Sequence, residues 1–161
     1  MALLVAAAAL AALACPVENA GYTLRTAPGI TARFRDVDSG RDWPSGLALG
    51  IHSATTNRTY WFLPWDGGTD DLQNLASTTD VDAKDWKPPS PDGGPRPLGD
   101  LEYVEVDQGY GVIDAIPHRN APAPAHILIP GLGAALRYGS VDSRDGAPKQ
   151  FFDLTSCSPR R

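Results

Sequence analysis

Short apolar runs separated by turn-forming residues recur along this chain after residue 20. No window there keeps the i, i+3, i+4 spacing of a long amphipathic helix, and most runs end at Gly, Pro, Asp or Asn. The pattern predicts an all-β fold, a single antiparallel β-sandwich or partly open barrel with long Pro-rich loops. The predicted strands cover residues 22–26, 30–37, 46–53, 59–65, 72–78, 101–107, 111–116, 125–129, 135–141 and 150–154. A short helix is the alternative in Leu72–Ala76 and in Gly131–Leu136.

The clearest local unit is a hairpin of two predicted strands, Leu47–Ser53 and Thr59–Trp65, joined by the turn residues 54–58. We expect Ser53 to face Thr59, a register that places four apolar side chains together on a core-facing surface. These four are Leu49, Ile51, Trp61 and Leu63. The side chains expected on the opposite surface are His52, Tyr60 and Phe62. That second surface is apolar enough to need a cover, either another sheet layer or a ligand.

The start of the chain differs from the rest. Residues 2–14 are Ala, Leu or Val throughout, a run that is too short to cross a bilayer of about 30 Å and ends in small residues in the A-x-A manner. This predicts a secretory signal over residues 1–14 and one β-rich domain over residues 15–161, located in a bacterial periplasm or envelope or secreted by another host. The positive charge that begins most signals is missing, so a buried Ala-rich helix is the alternative.

Two cysteines, Cys15 and Cys157, have three alternative fates in an exported chain. The segment Ala12-Leu13-Ala14-Cys15 resembles the lipobox of bacterial lipoproteins, although that motif usually has Leu where this chain has Ala12. The resemblance implies a lipid anchor at Cys15, the only membrane contact we expect. Cleavage after Ala14 would instead leave Cys15 to form a disulfide with Cys157. Cleavage beyond Cys15 would leave Cys157 alone.

The charge of the chain bounds its partners. The formal net charge of −5 and the pI near 5.0 argue against nucleic acid, because phosphate binding needs a net basic surface. We expect an unknown protein or carbohydrate ligand instead. No motif calls for a cofactor or a metal. Asp36–Asp42 places carboxylates at alternate positions, but departs from a calcium-binding loop at its fifth and sixth positions, and we interpret it as a surface turn.

Aromatic residues suggest one specific ligand surface. Trp43, Trp61 and Trp65 could form a platform on which sugar rings stack. We favour the alternative, in which they are core and rim residues of a sandwich, because Trp is highly buried on average. His52 is likewise expected to pack on its strand, since no second His or Cys lies within metal-ligand spacing of it.

Two Pro-rich loops are the expected contact surfaces for a partner. Residues 87–100 hold five prolines and three glycines, and residues 117–124 hold three prolines. Proline stiffens both loops, so they lose less entropy on binding than flexible loops would. The residues expected to contact a partner are Pro88, Pro89, Pro95, Arg96, Pro97, His118 and Arg119. For the first loop, the alternative is a crossover between the two halves of a sandwich.

The sequence lacks the motifs of common hydrolase and phosphate-binding sites, including G-x-S-x-G and H-E-x-x-H. Glu102, Glu105 and Asp107 are expected on a charged, solvent-facing edge strand. We therefore favour an exported, non-enzymatic β-domain that binds a partner or ligand through its loops. One alternative is a carbohydrate-binding module with exposed tryptophans. The other is a small extracytoplasmic hydrolase whose pocket would set one histidine beside a carboxylate, the candidates being His52, His118 and His126.

Overall fold

The computed structural model describes residues 14–67, 73–139 and 145–158. In this part of the chain a 3-10 helix, Val17–Asn19, precedes ten strands and one α-helix, α1, which covers Leu132–Tyr138. The strands are β1 Ala20–Leu24, β2 Ile30–Asp36, β3 Leu47–Ser53, β4 Arg58–Trp65, β5 Asn74–Thr78, β6 Asp100–Glu102, β7 Val104–Val106, β8 Val112–Ile113, β9 His126–Leu128 and β10 Phe151–Cys157. Apart from Ala14, the predicted signal segment lies outside the described residues.

The strands form one antiparallel sheet in the order β6-β5-β4-β3-β2-β1-β10-β9-β7-β8. β6 and β7 lie far apart in this order, yet only Tyr103 separates them along the chain. Residues 100–106 therefore connect β5 on one side of the sheet with β9 on the other, and the sheet curls into a half-barrel. The predicted all-β, antiparallel fold is confirmed.

The inner face of the half-barrel carries the larger core. Alternate residues of the central strands point inward, as period-2 geometry requires. The largest of these buried side chains are Tyr22, Leu24, Phe34, Leu47, Leu49, Ile51, Phe62 and Phe152. α1 packs against the same core through Leu132 and Leu136, which share one helix face. Each fully buried side chain of this kind stabilises the fold by about 1.5–3 kcal/mol.

A second, smaller cluster lies on the outer face of the same sheet. Its buried members are Val37, Trp43, Ala48, Leu63 and Ala76. Four half-buried side chains pack against them, namely Trp61, Trp65, Val81 and Trp86. β3 is buried along nearly its whole length because it has one core on each face.

The predicted hairpin of β3 and β4 forms, but its predicted register is wrong by one residue. Ser53 pairs with Arg58 rather than Thr59, because the turn uses only residues 54–57 and Asn57 turns the chain with a positive φ of 54°. A slip of one residue moves every side chain of a strand to the other face. The side chains thus moved to the outer face are Trp61 and Leu63. Those moved inside, beside Leu49 and Ile51, are Tyr60 and Phe62.

The C-terminal half contains two further corrections. The strand predicted at 135–141 is wrong, and the alternative helix at Gly131–Leu136 is right, because two leucines four residues apart reach the inner core from one helix face. The strand predicted at 101–107 divides at Tyr103, where the chain passes from one side of the sheet to the other. Within Leu72–Ala76, residues 74–76 belong to a strand, β5, and not to the alternative helix.

A disulfide joins Cys15 to Cys157 across 142 residues of sequence. The segment beside Cys15 is held further by two backbone hydrogen bonds, from Val17 N–H to the Ala121 carbonyl at 2.9 Å and from Ala123 N–H to the Cys15 carbonyl at 2.7 Å. Of the three fates weighed for Cys15, the structure contains the disulfide, and a sulfur so bonded has no free thiol for a lipid. Among the described residues, no helix is both long and apolar enough to span a membrane.

Candidate functional site

The outer face of the sheet divides into two parts. The covered half is the Trp-rich cluster under the loops at 37–46 and 79–99, and it contains Trp43, Leu63, Trp65, Ala76 and Trp86. The open half carries mainly polar side chains on β9, β10, β1, β2, β3 and β4. Neighbours across these strands form one row, in the order His126, Asp153, Thr23, Thr31, His52 and Thr59. This row gives the open half a continuous, chemically varied surface.

Trp43 lies inside the covered half rather than on a platform. Its side chain is 1% exposed, its indole Nε1–H donates to the Pro89 carbonyl at 2.9 Å, and its ring meets Trp65 edge-on at 5.9 Å and 64°. Stacking on sugars needs exposed and roughly coplanar rings. A loop covers Trp43, however, and its indole is not coplanar with that of Trp65.

The loop at 87–99 is folded around its own arginine. The Arg96 guanidinium donates to the carbonyls of Ser90 and Gly94 at 3.2 and 3.4 Å, forms an ion pair with Asp100 at 3.2 Å, and lies 5.2 Å from the Trp43 ring. The Arg96 side chain is only 15% exposed. The expected partner residues of this loop therefore differ in their exposure. Arg96 anchors the loop, and Pro88 and Pro89 are half-buried. The exposed ones are Pro95 and Pro97.

His118 and Arg119 hold one loop against another. Arg119 donates to the carbonyls of Val37 and Gly46 at 2.6 and 3.1 Å and lies 3.3 Å from the Asp36 carboxylate. His118 Nδ1 lies 3.3 Å from the Pro44 carbonyl oxygen. Both side chains are exposed, but their polar groups face the turn at 37–46. These contacts hold the 117–124 loop against the turn at 37–46, so the polar groups of the two expected partner residues already contact the protein itself.

His126 belongs to an ordered cluster at one end of the open half. Its Nδ1 lies 2.6 Å from Asp153, which also receives two hydrogen bonds from Arg25 at 2.8 and 2.9 Å. Tyr110 stacks on the imidazole at 4.7 Å and 2°, and Phe151 meets both rings edge-on. Arg25 lowers the pKa of Asp153 most, burial opposes this, and His126 lowers it further. The carboxylate therefore stays ionised to low pH.

The same cluster contains part of a catalytic arrangement. A carboxylate on Nδ1 orients an imidazole as a general base does, so His126 is the histidine of the three that lies beside an acid. Within the described chain no hydroxyl or thiol forms a hydrogen bond with His126, so the dyad has no nucleophile in place. Tyr110, at a strained positive φ of 62°, lies flat over the ring. The geometry favours a structural clamp for the β7–β8 turn.

A small cleft lies between Trp61 and Arg33, at the centre of the outer face. Its volume is about 180 Å³, and its lining residues are Thr31, Arg33, Gly50, His52, Thr59 and Trp61. Arg33, Gly50 and Trp61 are direct neighbours across β2, β3 and β4. The Arg33 guanidinium is exposed and has no ion pair or side-chain hydrogen bond within the described ranges. This cleft is lined by an indole and an arginine, and none of its lining residues in the described part of the chain is a carboxylate.

Two carboxyl groups are buried away from the cleft. Asp145 accepts hydrogen bonds from Ser53, Thr56 and Tyr60 at 2.6–2.7 Å. Burial raises the pKa of Asp145, but these hydroxyls and nearby Arg58 outweigh burial and lower it. The group ties the β3–β4 turn to the segment before β10. It is a structural clasp, since three donors already satisfy it.

Glu105 is the second buried carboxyl group. It is 2% exposed rather than solvent-facing as predicted, because β7 turns its side chain inward beside Ile127 of β9. Burial raises the pKa of Glu105 to about 8, although the nearby Tyr103 hydroxyl lowers it in part. Glu105 Oε1 and the Tyr103 hydroxyl have no hydrogen-bond partner of normal geometry in the described chain. The inner core therefore contains a carboxyl group that is mainly neutral at pH 7.

Sequence reasoning missed several of these residues. Arg33 could have been found, because Thr31, Arg33 and Arg35 alternate with the buried Ala32 and Phe34 along β2. No local pattern indicates Asp153 as the partner of His126, because the two residues meet only through the pairing of β9 with β10.

The described residues contain no group of three or more His, Cys, Asp or Glu side chains placed to hold a metal ion. Comparison of the chain with protein-family models, with curated proteins and with solved structures finds no match. Function must therefore be argued from the geometry of this chain alone.

Proposed function

We propose that this protein is an extracytoplasmic, non-enzymatic β-domain that binds a ligand on the open half of its outer sheet face. The observation that carries the proposal is the cleft that Trp61 and Arg33 both line, because Arg33 has no ion pair or side-chain hydrogen bond among the described residues. An exposed cation and a large aromatic ring are the side chains that most often anchor a ligand. In the two loops expected to bind a partner, Arg96 and Arg119 instead donate hydrogen bonds to backbone carbonyls of the protein itself.

The extracytoplasmic location has two supports. Residues 2–14 have the composition of a signal's apolar segment, and a disulfide joins Cys15 to Cys157. Disulfides persist in oxidising compartments and are rare in the cytosol. Intact-mass analysis of the protein from its native host tests this location. We expect a chain that begins at or close to Cys15 and is two hydrogens lighter than its reduced form, whereas a reduced chain beginning at Met1 would contradict it.

Binding by the cleft is tested by capture from the host's envelope and secreted fractions. Wild-type protein is immobilised beside three variants, Arg33→Gln, Arg41→Gln and Pro95→Ala/Pro97→Ala. Arg41 is exposed on a distant turn, so it controls for the loss of one positive charge. We expect Arg33→Gln alone to lose the ligand that wild type retains. Equal capture by all four proteins would refute a role for the cleft, and loss only in the proline variant would restore the loop as the contact surface.

A small hydrolase is the second candidate, favoured by one observation, the contact of His126 with Asp153. A broad screen of ester, peptide and glycoside substrates, run with wild type and His126→Asn, separates it from the first candidate. We expect no turnover above background in either protein. Turnover that disappears in His126→Asn would establish catalysis and contradict the non-enzymatic proposal.

A further inference from the structure

We infer that the cleft between Trp61 and Arg33 binds one carboxylated sugar ring, a hexuronate unit of an anionic polysaccharide. The inference rests on the proposed function, because it names the ligand class of the same cleft. It has three independent supports: the indole surface, the free guanidinium and the size of the cleft with its hydroxyl groups.

The indole surface exists because a glycine lies opposite it. Gly50 pairs with Trp61, and a Cβ added at Gly50 would lie 2.6 Å from the Trp61 ring. The six-membered part of the indole therefore rests on the bare backbone of β3. Held in this way, the ring lines the cleft in one fixed orientation. The C–H groups of a pyranose ring pack on such an aromatic surface, because they are apolar and carry partial positive charge opposite the π-electrons.

The guanidinium is placed by a second glycine. Gly21 pairs with Arg33, and the Arg33 Nε and Nη2 atoms lie 3.2–3.3 Å from the position where a Cβ of Gly21 would be. Arg33 therefore lies along the sheet surface over β1. Its fork of N–H groups matches the two oxygens of a carboxylate, and among the described residues no acidic side chain lines the cleft to compete for it. In a chain of net charge −5, this local excess of positive charge favours an anion.

The size of the cleft and its other polar groups fit a single sugar. About 180 Å³ is the room of roughly six water molecules, well below the roughly 300–1,000 Å³ of sites for drug-sized ligands. Thr31, Thr59 and His52 supply hydroxyl and ring-nitrogen groups for the sugar's own hydroxyls. His52 Nδ1 lies 3.2 Å from the Thr59 hydroxyl, which fixes the orientation of the imidazole.

The test measures binding of defined oligosaccharides to the disulfide-bonded protein by calorimetry and by NMR of the tryptophan Nε1–H signals. Three matched ligands are compared: an oligogalacturonide, its methyl ester and the neutral oligogalactoside. We expect the free acid to bind, to shift the Trp61 signal, and to bind at least about tenfold more tightly than either neutral ligand. Its affinity should fall as salt is raised, as a partly exposed ion pair requires.

Variants identify the groups responsible. Arg33→Gln should weaken binding of the acid by about tenfold and remove its advantage over the methyl ester, while Arg41→Gln changes it less than twofold. Trp61→Ala should abolish binding of all three ligands. Trp61→Phe, which keeps an aromatic ring and the fold, should retain part of it. Circular dichroism and the melting temperature report whether each variant is folded.

Each other outcome overturns the inference. Equal binding of acid and ester, or an Arg33→Gln variant that binds the acid as wild type does, would show that the carboxylate is not recognised. Equal binding of a sulfated oligosaccharide would show a site for anions in general. If only the neutral ligand binds, with loss in Trp61→Ala, the hexuronate is wrong while the proposed function stands. If no ligand binds, the hexuronate is again wrong, and the capture experiment separately decides the proposed function.

Discussion

Two arginine–tryptophan pairs lie on the outer face of the same sheet, and they differ in what their arginines contact. Arg96 lies 5.2 Å from the Trp43 ring and spends its N–H groups on loop carbonyls and on Asp100. Arg33 is the cross-strand neighbour of Gly50, which pairs with Trp61, and its guanidinium has no polar partner in the described part of the chain. The N–H groups of Arg96 are therefore satisfied within the protein, whereas those of Arg33 remain available to a ligand.

The difference shows that residue type alone does not distinguish a structural aromatic cluster from a binding surface. Both pairs contain the same two residue types. What separates them is whether the chain supplies a cover: the loop at 79–99 lies over Trp43, with Trp86 Nε1 donating to the Thr78 hydroxyl at 3.2 Å, whereas the cleft beside Trp61 stays open. Stability should therefore depend on the covered half, and ligand binding on the open half.

The largest loss of stability is expected on removing the disulfide. This bond joins the chain next to β1 and β10, which belong to the open half of the outer face and not to the covered half. Cys15→Ser/Cys157→Ser removes a link across 142 residues, and the chain-entropy model then predicts a loss of about 5 kcal/mol. Urea denaturation of the variant, beside wild type with and without reductant, measures it. Hydrogen exchange should show that the backbone hydrogen bonds between β1 and β10 open before those of the covered half. That order would distinguish the two halves by their local stability. An unchanged midpoint would contradict the predicted loss.

The second effect should separate the two tryptophans. Trp43→Ala removes a side chain that is 1% exposed, and we expect a loss of about 3–5 kcal/mol in the free energy of unfolding. Trp61 is only half-buried, so Trp61→Ala should lower the free energy of unfolding by less than half of that amount. Denaturation of both variants under the same conditions checks this. Equal losses would mean that the packing of Trp61 against the outer cluster contributes as much stability as buried Trp43 does, and would weaken its role in the cleft.

The third effect concerns the inner core, which both halves share. Burial raises the pKa of Glu105 to about 8 from an ordinary value of 4.5, so the folded state holds a proton that the unfolded state releases. Stability due to this group is fully present below pH 4.5 and is lost as pH rises toward 8. Between pH 5 and 7 we expect wild type to lose about 2–3 kcal/mol relative to Glu105→Gln.

The comparison with Glu105→Gln isolates this group from other carboxyl groups. The pKa values of Asp145 and Asp153 are lowered, by hydroxyl groups and by Arg25 respectively, so both are ionised in folded and unfolded states above pH 5. Their contribution is lost only as pH falls below that range. Parallel stability profiles for wild type and variant from pH 5 to 7 would show that Glu105 is not buried as described.

The fold class was predictable from the sequence because turn residues and strand length are local properties. The Leu47–Ser53 strand was predicted within one residue, since its alternation and its following turn are both visible in the sequence. The register with β4 was not, because it depends on whether Asn57 adopts a positive φ. That single dihedral angle decides whether Trp61 points into the core or lines the cleft.

The candidate site was predictable only in part, because it is assembled across strands. Trp61 was singled out by residue type, but with two partners that belong to the covered half. Arg33 and Gly50 reach Trp61 through the registers of β2 with β3 and of β3 with β4, which are set by the lengths and conformations of the two connecting loops. The Pro-rich loop was seen as a stiff segment, but nothing in its composition shows that Arg96 binds its carbonyls and that Pro89 accepts from Trp43.

The smallest effect is also the most direct test of the two pairs. Arg96→Gln removes the guanidinium as donor to the Gly94 carbonyl and leaves the Ser90 carbonyl with the Gly94 N–H alone. It also uncovers Trp43, so we expect a loss of about 1–3 kcal/mol in the free energy of unfolding. Arg33→Gln removes no ion pair or side-chain hydrogen bond between described residues, only the packing of an exposed side chain over Gly21, so its free energy of unfolding should stay within about 0.5 kcal/mol of wild type.

Arg41→Gln, with the same change of charge at an exposed turn, sets the baseline for that measurement, made by urea denaturation. If Arg33→Gln is as destabilising as Arg96→Gln, then Arg33 holds the sheet together and is not kept free for a ligand. If Arg33→Gln is as stable as Arg41→Gln yet loses the ligand, then Arg33 contributes to ligand binding and not to the stability of the fold. A guanidinium that the fold does not need, on a residue that lines the same cleft as Trp61, is then explained by what it binds.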